Sequence, residues 1–181
     1  MREKALTRVL GKGRMVVGRG VKSGLNIRLG VEREVGGEMV ADAVSALEKF
    51  QPPIITIDMG TATTIGVISK GRNYEGGMLL PGVNVSLEAL SLRAAQLPAI
   101  SLQHPKVLIG QTTEDCMRPG IVYGTAGMLV GLIERIRHEV PRRQRSVLAT
   151  RGNGPALVKC GRDKIVSDKY LLLDGPRTLY H

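Results

Sequence analysis

Two runs of β-branched residues meet at a corner of small residues near the middle of the chain. The first run begins at Ile54 and ends at Asp58, and the second ends at Ile68 after the corner at 60–64. Such runs on either side of a small-residue corner predict strand, tight turn and strand. We therefore predict a β-hairpin over 54–68, with Asp58 at the mouth of its first strand.

A helical pattern precedes this hairpin. Apolar residues recur every three or four positions until Phe50, and Pro52 and Pro53 follow. The recurring residues are Val40, Ala43, Val44 and Leu47. The spacing predicts a helix that starts near Gly36 and ends before the two prolines, because proline lacks the backbone donor that a helix needs.

After the hairpin, the pattern predicts a third strand and another helix. Lys70-Gly71 marks a turn into a strand that ends at Leu80, and Pro81-Gly82 leads to a helix with one apolar face. The face consists of Leu87, Leu90, Ala94 and Leu97. Residues 107–109 are a further short apolar piece.

The second half of the chain predicts one long helix and a late strand. Thr112 or Thr113 caps the helix, with Asp115 three residues after Thr112 as in a capping box. Residues 146–150 read as a strand. The remaining predictions are a short basic helix at 1–13, a strand at 15–17, an extended piece at 23–28 and a turn at 174–176.

Four glycines, Gly120, Gly124, Gly127 and Gly131, form a stripe along the long helix. Each should cost about 0.8–1 kcal/mol relative to alanine in a helix interior. We therefore expect a second helix to pack closely on the stripe, either within the fold or across a dimer. A transmembrane span is not expected, since the apolar stretch 121–133 is short and charged residues follow it at once.

The corner after Asp58 has two interpretations. Small residues and three hydroxyls allow backbone and side-chain donors to converge on a phosphate, with a carboxylate beside them for a cation. Alternatively, the corner is a plain hairpin turn in which Asp58 accepts from turn amides and the threonines serve strand propensity.

Composition indicates one soluble globular domain with an aliphatic core. The 181 residues include 43% hydrophobic and only 3% aromatic residues. The net charge of +10 could suit nucleic acid, but the basic residues are spread and no aromatic residues are interleaved with them for base stacking. We expect neither a nucleic-acid partner nor a membrane.

Cysteine and histidine residues do not suggest a metal centre. Cys116 and Cys160 lie far apart, and the three histidines have no ligand spacing. Two separated cysteines suit a reducing compartment, and residues 1–24 lack the continuous apolar segment of a signal peptide. A cytoplasmic location is expected.

Several motifs in register resemble the type III pantothenate kinases. Residues 58–64 resemble the second phosphate loop of that family. The segments 76–82, 86–90, 94–98 and 117–124 recur there in the same order, and the similarity runs from about Val16 to the C-terminus. The resemblance implies an α/β ribonuclease H-like, actin-like ATPase fold, with a mixed sheet flanked by helices. Three antiparallel strands followed by helices agree with such a unit.

The resemblance also implies a reaction and its ligands. The family phosphorylates pantothenate with ATP, the first step towards coenzyme A. It uses Mg²⁺ and a monovalent cation, K⁺ or NH₄⁺, and forms homodimers. On this basis residues 53–181 are expected to form one kinase half-domain, with an N-terminal remnant and a linking helix in 1–50.

The same resemblance implies roles for individual residues. Asp58 matches the acid that binds the monovalent cation, and Gly60 and Thr61 match the ATP-binding loop. Thr113 matches a substrate-binding threonine. The family's Gly-x-Asp-Arg element, whose acid is the general base, falls on the substrate-binding positions Gly36, Gly37, Glu38 and Met39.

This chain departs from the family pattern at several positions. Glu38 is one methylene longer than the usual acid, and Met39 removes an arginine that could bind an anion in a bidentate manner. Glu38 could equally be a solvated acid in the first turn of a helix. Arg151-Gly152 replaces paired glycines, and no Asp-x-Gly-Asn-Thr loop precedes Val16.

We therefore expect a pantothenate kinase of weakened activity. The alternative is a catalytically inactive member of the family that binds ligands or regulates, as the Bvg accessory factors do.

Overall fold

The computed structural model describes residues 24–27, 36–140, 146–150, 165–168 and 170–171. The predictions for residues 1–23 and 151–164, and the final turn at 174–176, lie outside the described residues. The strands within them are β1 (Asn26–Ile27), β2 (Ile54–Met59), β3 (Ala62–Ile68), β4 (Asn73–Pro81), β5 (Ser146–Thr150) and β6 (Ile165–Ser167). The helices are α1 (Gly37–Lys49), α2 (Val83–Arg93) and α3 (Thr113–Glu139).

The strands form one mixed sheet in the order β1-β4-β3-β2-β5-β6. β2, β3 and β4 are an antiparallel meander, whereas β5 lies parallel to β2 and β6 parallel to β5. The predicted hairpin is confirmed, since Ile54 pairs with Ile68 and Met59 with Thr63. The chain leaves the meander through α2 and α3 before it returns to the sheet beside β2.

Helices cover both faces of this sheet, and β2 is therefore buried along its whole length. Ile55 and Ile57 point to the face covered by α3, while Ile54 points to the face covered by α1. Burial on both faces explains why the strand reads as a continuous apolar run instead of an alternating one. The α3 side of this core includes Val122, Ala126, Leu129 and Ile133.

The predicted start of α3 is confirmed. Thr112 is the N-cap, and its Oγ1 accepts a hydrogen bond from the Asp115 backbone N–H at 3.2 Å. The same hydroxyl donates to Asp115 Oδ2 at 2.8 Å. The predicted helix after Gly82 is shorter than expected, because α2 ends at Arg93 and Ala94 is its C-cap. Ser91 Oγ donates to the Pro98 carbonyl at 2.9 Å, which folds the following segment back and leaves Leu97 outside the helix.

The glycine stripe of α3 lies on the side opposite its buried residues. A Cβ added to Gly120, Gly124, Gly127 or Gly131 would meet no atom of the described residues within 4 Å. No described helix packs on the stripe, so the expectation of a partner within the fold fails for the described residues. By length and composition alone α3 could cross a membrane, but a core helix passes the same test, and here one side of α3 packs on the sheet.

Candidate active site

Asp58 is buried at the end of β2, where three strands present oxygen-bearing side chains side by side. Asp58 pairs with Thr64 on β3 and with Thr150 on β5, so these three side chains share the face covered by α1. We call them the Asp58 row. Asp58 is 3% exposed and Thr150 is 1% exposed, whereas Thr64 is only partly buried. The row therefore runs from a sheltered hydroxyl to an accessible one.

The turn after Asp58 is held against the beginning of α2. The Gly60 N–H donates to the Ala62 carbonyl at 3.1 Å, and the Gly82 N–H donates to the Thr61 carbonyl at 3.0 Å. A Cβ on Gly82 would lie 2.3 Å from the carbonyl oxygens of both Gly60 and Thr61. Only glycine allows this approach, which fixes the turn beside the N-terminus of α2.

The N-terminus of α2 gives this region a positive electrostatic character. Gly82 is the N-cap and provides no side-chain acceptor, and the first turn carries no acidic residue. The first backbone N–H groups of a helix lack intrahelical acceptors and carry the positive end of the helix dipole. The exposed turn at Gly60 and Thr61 therefore lies beside a surface suited to an anion.

The three hydroxyls of the corner do not converge as the sequence suggested. Thr61 is exposed at the turn, Thr63 is buried on the α3 face beside Met59, and Thr64 lies on the α1 face beside Asp58. Successive side chains of a strand point to opposite faces, so Thr63 and Thr64 cannot serve one ligand. Of the three threonines, only Thr61 is placed to contact a group bound at the turn.

The first turn of α1 lies over the same end of the strands as the Asp58 row. A short connection joins the end of α1 to the start of β2, so the two elements run in opposite directions on the α1 face. A Cβ on Gly77 would lie 3.1 Å from Met39 Cε. Gly77 pairs with Gly66, in the row next to the Asp58 row. The fold thus brings the first turn of α1, which carries Glu38, to the end of the strands that carries Asp58.

The four positions of the predicted substrate element differ in exposure. Gly36 and Glu38 are exposed, Gly37 is partly buried, and Met39 packs with the apolar cluster under α1. Met39 has therefore taken a packing role where the family resemblance implied an anion-binding arginine. Glu38 is the one carboxylate of this element, and it is accessible to solvent.

Thr113 is the first residue of α3 and is exposed. Thr112 caps the helix, so the hydroxyl of Thr113 is not used as its cap. α2 and α3 pack on the same face of the sheet, opposite α1. The position leaves Thr113 available to a ligand, while its role in binding stays a prediction.

Sequence reasoning missed two residues of this region, Gly82 and Thr150. Gly82 read as a simple helix start, because the contact that requires glycine comes from the distant turn at Gly60. Thr150 read as the end of a late strand. Its place next to Asp58 depends on β5 pairing in parallel with β2, which a single sequence does not give.

Comparison with solved structures identifies the fold. A protein from Campylobacter jejuni, described as a Baf family transcriptional activator, aligns with a TM-score of 0.58 at 21% identity, over 88% of this chain and 69% of that chain. An archaeal actin homolog aligns with a TM-score of 0.54 at 19% identity, over 81% of this chain and 55% of that chain. The predicted actin-like α/β fold is confirmed.

Comparison with known sequences identifies the family. A curated type III pantothenate kinase from Bacillus cytotoxicus is 37% identical over 166 residues, which are 92% of this chain. The chain spans 63% of the length of that relative. A family model described as type III pantothenate kinase matches residues 1–135. The match covers most of the 181 residues, and the chain therefore belongs to the type III pantothenate kinase family.

Proposed function

We propose that this chain carries part of the active site of an ATP-dependent pantothenate kinase, which transfers the γ-phosphoryl group of ATP to a hydroxyl of pantothenate. One observation carries the proposal: a buried Asp58 next to an exposed turn that is held at the N-terminus of α2, in a member of the type III pantothenate kinase family. Phosphoryl transfer depends mainly on positioning and charge stabilisation, and this arrangement offers both.

Gly60 and Thr61 bind the phosphates of ATP in this proposal. Their turn is exposed, and the N-terminus of α2 lies beside it without an acidic residue in its first turn. Backbone donors fixed in advance stabilise developing negative charge without reorganisation during the reaction. The Gly60 N–H already donates to the Ala62 carbonyl, so the proposed donors are the N–H and hydroxyl of Thr61, and the contact with Gly82 holds their turn in place.

Glu38 acts as the general base, and Gly36, Gly37 and Thr113 contribute to the pantothenate site, with Met39 packed on the apolar cluster beneath it. Glu38 is exposed in the first turn of α1, and its neighbour Met39 reaches Gly77 in the row next to the Asp58 row. A carboxylate there can accept the proton of the attacking hydroxyl, a contribution of about 10²–10⁴ in rate. Glutamate is longer than the family's aspartate, so we propose that the rate is reduced.

Asp58 holds a monovalent cation, K⁺ or NH₄⁺, beside the phosphates. The donor set fits such an ion, because a buried carboxylate has a buried hydroxyl next to it whose Oγ1 has no hydrogen-bond partner among the described residues. Hard cations prefer oxygen ligands of this kind. The bound cation, and Mg²⁺ on the ATP phosphates, would supply positive charge against the charge that develops during transfer.

We further propose a cytoplasmic homodimer in which the glycine stripe of α3 meets its copy. Within the described part of the chain nothing lies within 4 Å of a Cβ added to any of the four glycines, and each glycine is unfavourable in a helix interior unless close packing offsets it. We also propose a domain boundary between residues 1–50, the N-terminal part with its linking helix, and the kinase half-domain 53–181.

The test is ATP-dependent conversion of pantothenate by the purified chain, with Asp58→Asn as the control. Turnover that Asp58→Asn abolishes supports the proposal. Binding of pantothenate or ATP without turnover, in the presence of K⁺ and Mg²⁺, would favour the inactive, ligand-binding alternative. The absence of both binding and turnover would reject the proposed site.

A further inference from the structure

Thr150 is a buried hydroxyl that the hydrogen bonds of the described residues leave unsatisfied. Its side chain is at the end of β5, it is 1% exposed, and its Oγ1 has no partner within those residues. A buried hydroxyl without a hydrogen bond is unfavourable, because it has lost its bonds to water and gained none in the protein. Such a group calls for a ligand or an ordered water that completes it.

The pairing of β5 with β2 places this hydroxyl beside a carboxylate. Asp58 and Thr150 are register partners on adjacent parallel strands, so their side chains lie on the same face. Neighbouring strands are about 4.8 Å apart, which puts an oxygen of each residue within reach of one small ion between them. Thr64, on the other side of Asp58, offers a third oxygen from β3.

The side chains of the Asp58 row suit a cation that needs few charged ligands. In the described part of the chain, His, Cys, Asp and Glu form no group of three that could hold a metal. One carboxylate with neutral hydroxyls is a low-charge, all-oxygen donor set, whereas sites for divalent ions use several carboxylates or rely on substrate phosphates. A monovalent ion is the better match.

We propose that Thr150 is a ligand of the monovalent cation, so that the ion bridges β2 and β5 between the Asp58 carboxylate and the Thr150 hydroxyl. This inference rests on the proposed function of Asp58. It adds a second strand to the site and assigns to Thr150 a role in binding. In this arrangement the ion coordinates the oxygen of a buried hydroxyl that has no hydrogen-bond partner among the described residues.

The experiment measures thermal unfolding of the purified chain in potassium chloride and in tetramethylammonium chloride at equal concentration. Chloride is constant, which matters for a chain with a net charge of +10. Potassium at about a hundredfold above its Kd should raise the melting temperature of the parent by about 5–10 °C. Thr150→Ser, which keeps a hydroxyl, should retain most of the rise.

Thr150→Val should behave differently in the two salts. In tetramethylammonium it should melt at or above the parent temperature, because valine removes an unsatisfied buried hydroxyl and keeps the shape. In potassium the rise should fall to less than about half that of the parent. Thr56→Val is the matched control, since Thr56 is buried on the same face and its Oγ1 already reaches the Gly66 carbonyl at 3.5 Å. That variant should keep the full potassium effect.

Three outcomes overturn the inference. If Thr150→Val lowers the melting temperature equally in both salts, or leaves the potassium rise intact, Thr150 is only part of the core. If Asp58→Asn removes the rise while Thr150→Val preserves it, the inference fails and the cation site of the proposed function stands. If the parent shows no potassium rise, both fail together.

Discussion

Lys49 Nζ lies 2.6 Å from Asp168 Oδ2 and joins the last turn of α1 to the residue after β6. Asp168 also accepts a hydrogen bond from the Tyr170 N–H at 2.9 Å through Oδ1. The hydrogen bond from Lys49 is the main reason that the pKa of Asp168 is below its usual value, and the Tyr170 N–H adds to it. The pair thus links a helix on one face of the sheet to the sheet's far edge.

Asp168→Asn should lower the free energy of unfolding by less than about 1 kcal/mol at pH 7, since solvent screens an ion pair that is partly exposed. Asparagine can still accept from Tyr170. Because the folded-state pKa of Asp168 is lowered, the contribution is present above the unfolded pKa of about 3.9 and is lost as the pH falls through the folded value. Urea unfolding of parent and variant should differ at pH 7 and converge near pH 2; a constant difference would contradict the ion pair.

Glu38→Asp should raise turnover by about tenfold to a hundredfold if Glu38 is a base that is one methylene too long. Glu38→Gln should reduce turnover by about 10²–10⁴. Neither should change the melting temperature much, because the side chain is exposed. Steady-state kinetics with pantothenate and ATP provide the measurement. Equal rates for parent, Asp and Gln variants would identify Glu38 as a solvated acid of the first helical turn.

Gly82→Ala should destabilise the chain by about 1–3 kcal/mol and weaken ATP binding, because its Cβ would clash with two carbonyl oxygens of the turn. Gly36→Ala is the matched control. Gly36 is also a helix N-cap with extended backbone, but a Cβ there meets nothing within 4 Å among the described residues. Chemical unfolding and nucleotide titration of both variants test this, and equal losses in the two would show that the contact with the turn is unimportant.

Gly124→Leu separates two states of the glycine stripe. If the stripe forms a dimer, leucine should overpack the contact, lower the free energy of dimer unfolding by about 1–3 kcal/mol and shift the solution mass towards the monomer. If the stripe is exposed, leucine should stabilise the chain by up to about 1 kcal/mol, since it is a better helix former than glycine. Light scattering and thermal melts distinguish these results. An unchanged dimer mass with a higher melting temperature would reject a dimer through the stripe.

Local patterns in the sequence predicted most of the elements. The β-branched runs around the corner predicted β2 and β3, the helical spacing before Pro52 predicted α1, and Thr112 with Asp115 predicted the start of α3. These signals are local, because each depends on residues a few positions apart. The end of α2 was wrong because the apolar spacing continues past Ala94, where the Ser91 hydrogen bond to Pro98 decides the path.

The candidate site was harder to predict because its parts meet only through the sheet. Asp58 and the turn were found from one motif, and the family resemblance indicated Glu38. The packing of Met39 towards Gly77, the contact of Gly82 with the turn and the pairing of Thr150 with Asp58 all join residues that are distant in the chain. No period or spacing in the sequence predicts these long-range contacts.

The opposite directions of Thr63 and Thr64 have a consequence for how the corner tolerates change. Residues 58–64 form one motif in the sequence, yet within its two strands successive side chains lie on opposite faces of the sheet. Changes at Met59 and Thr63 disturb the packing under α3, whereas changes at Asp58 and Thr64 alter the surface under the first turn of α1. Variants at the strand positions of this segment would therefore alternate between loss of folded protein and loss of ligand affinity, whereas the exposed turn at Gly60 and Thr61 lies outside this alternation.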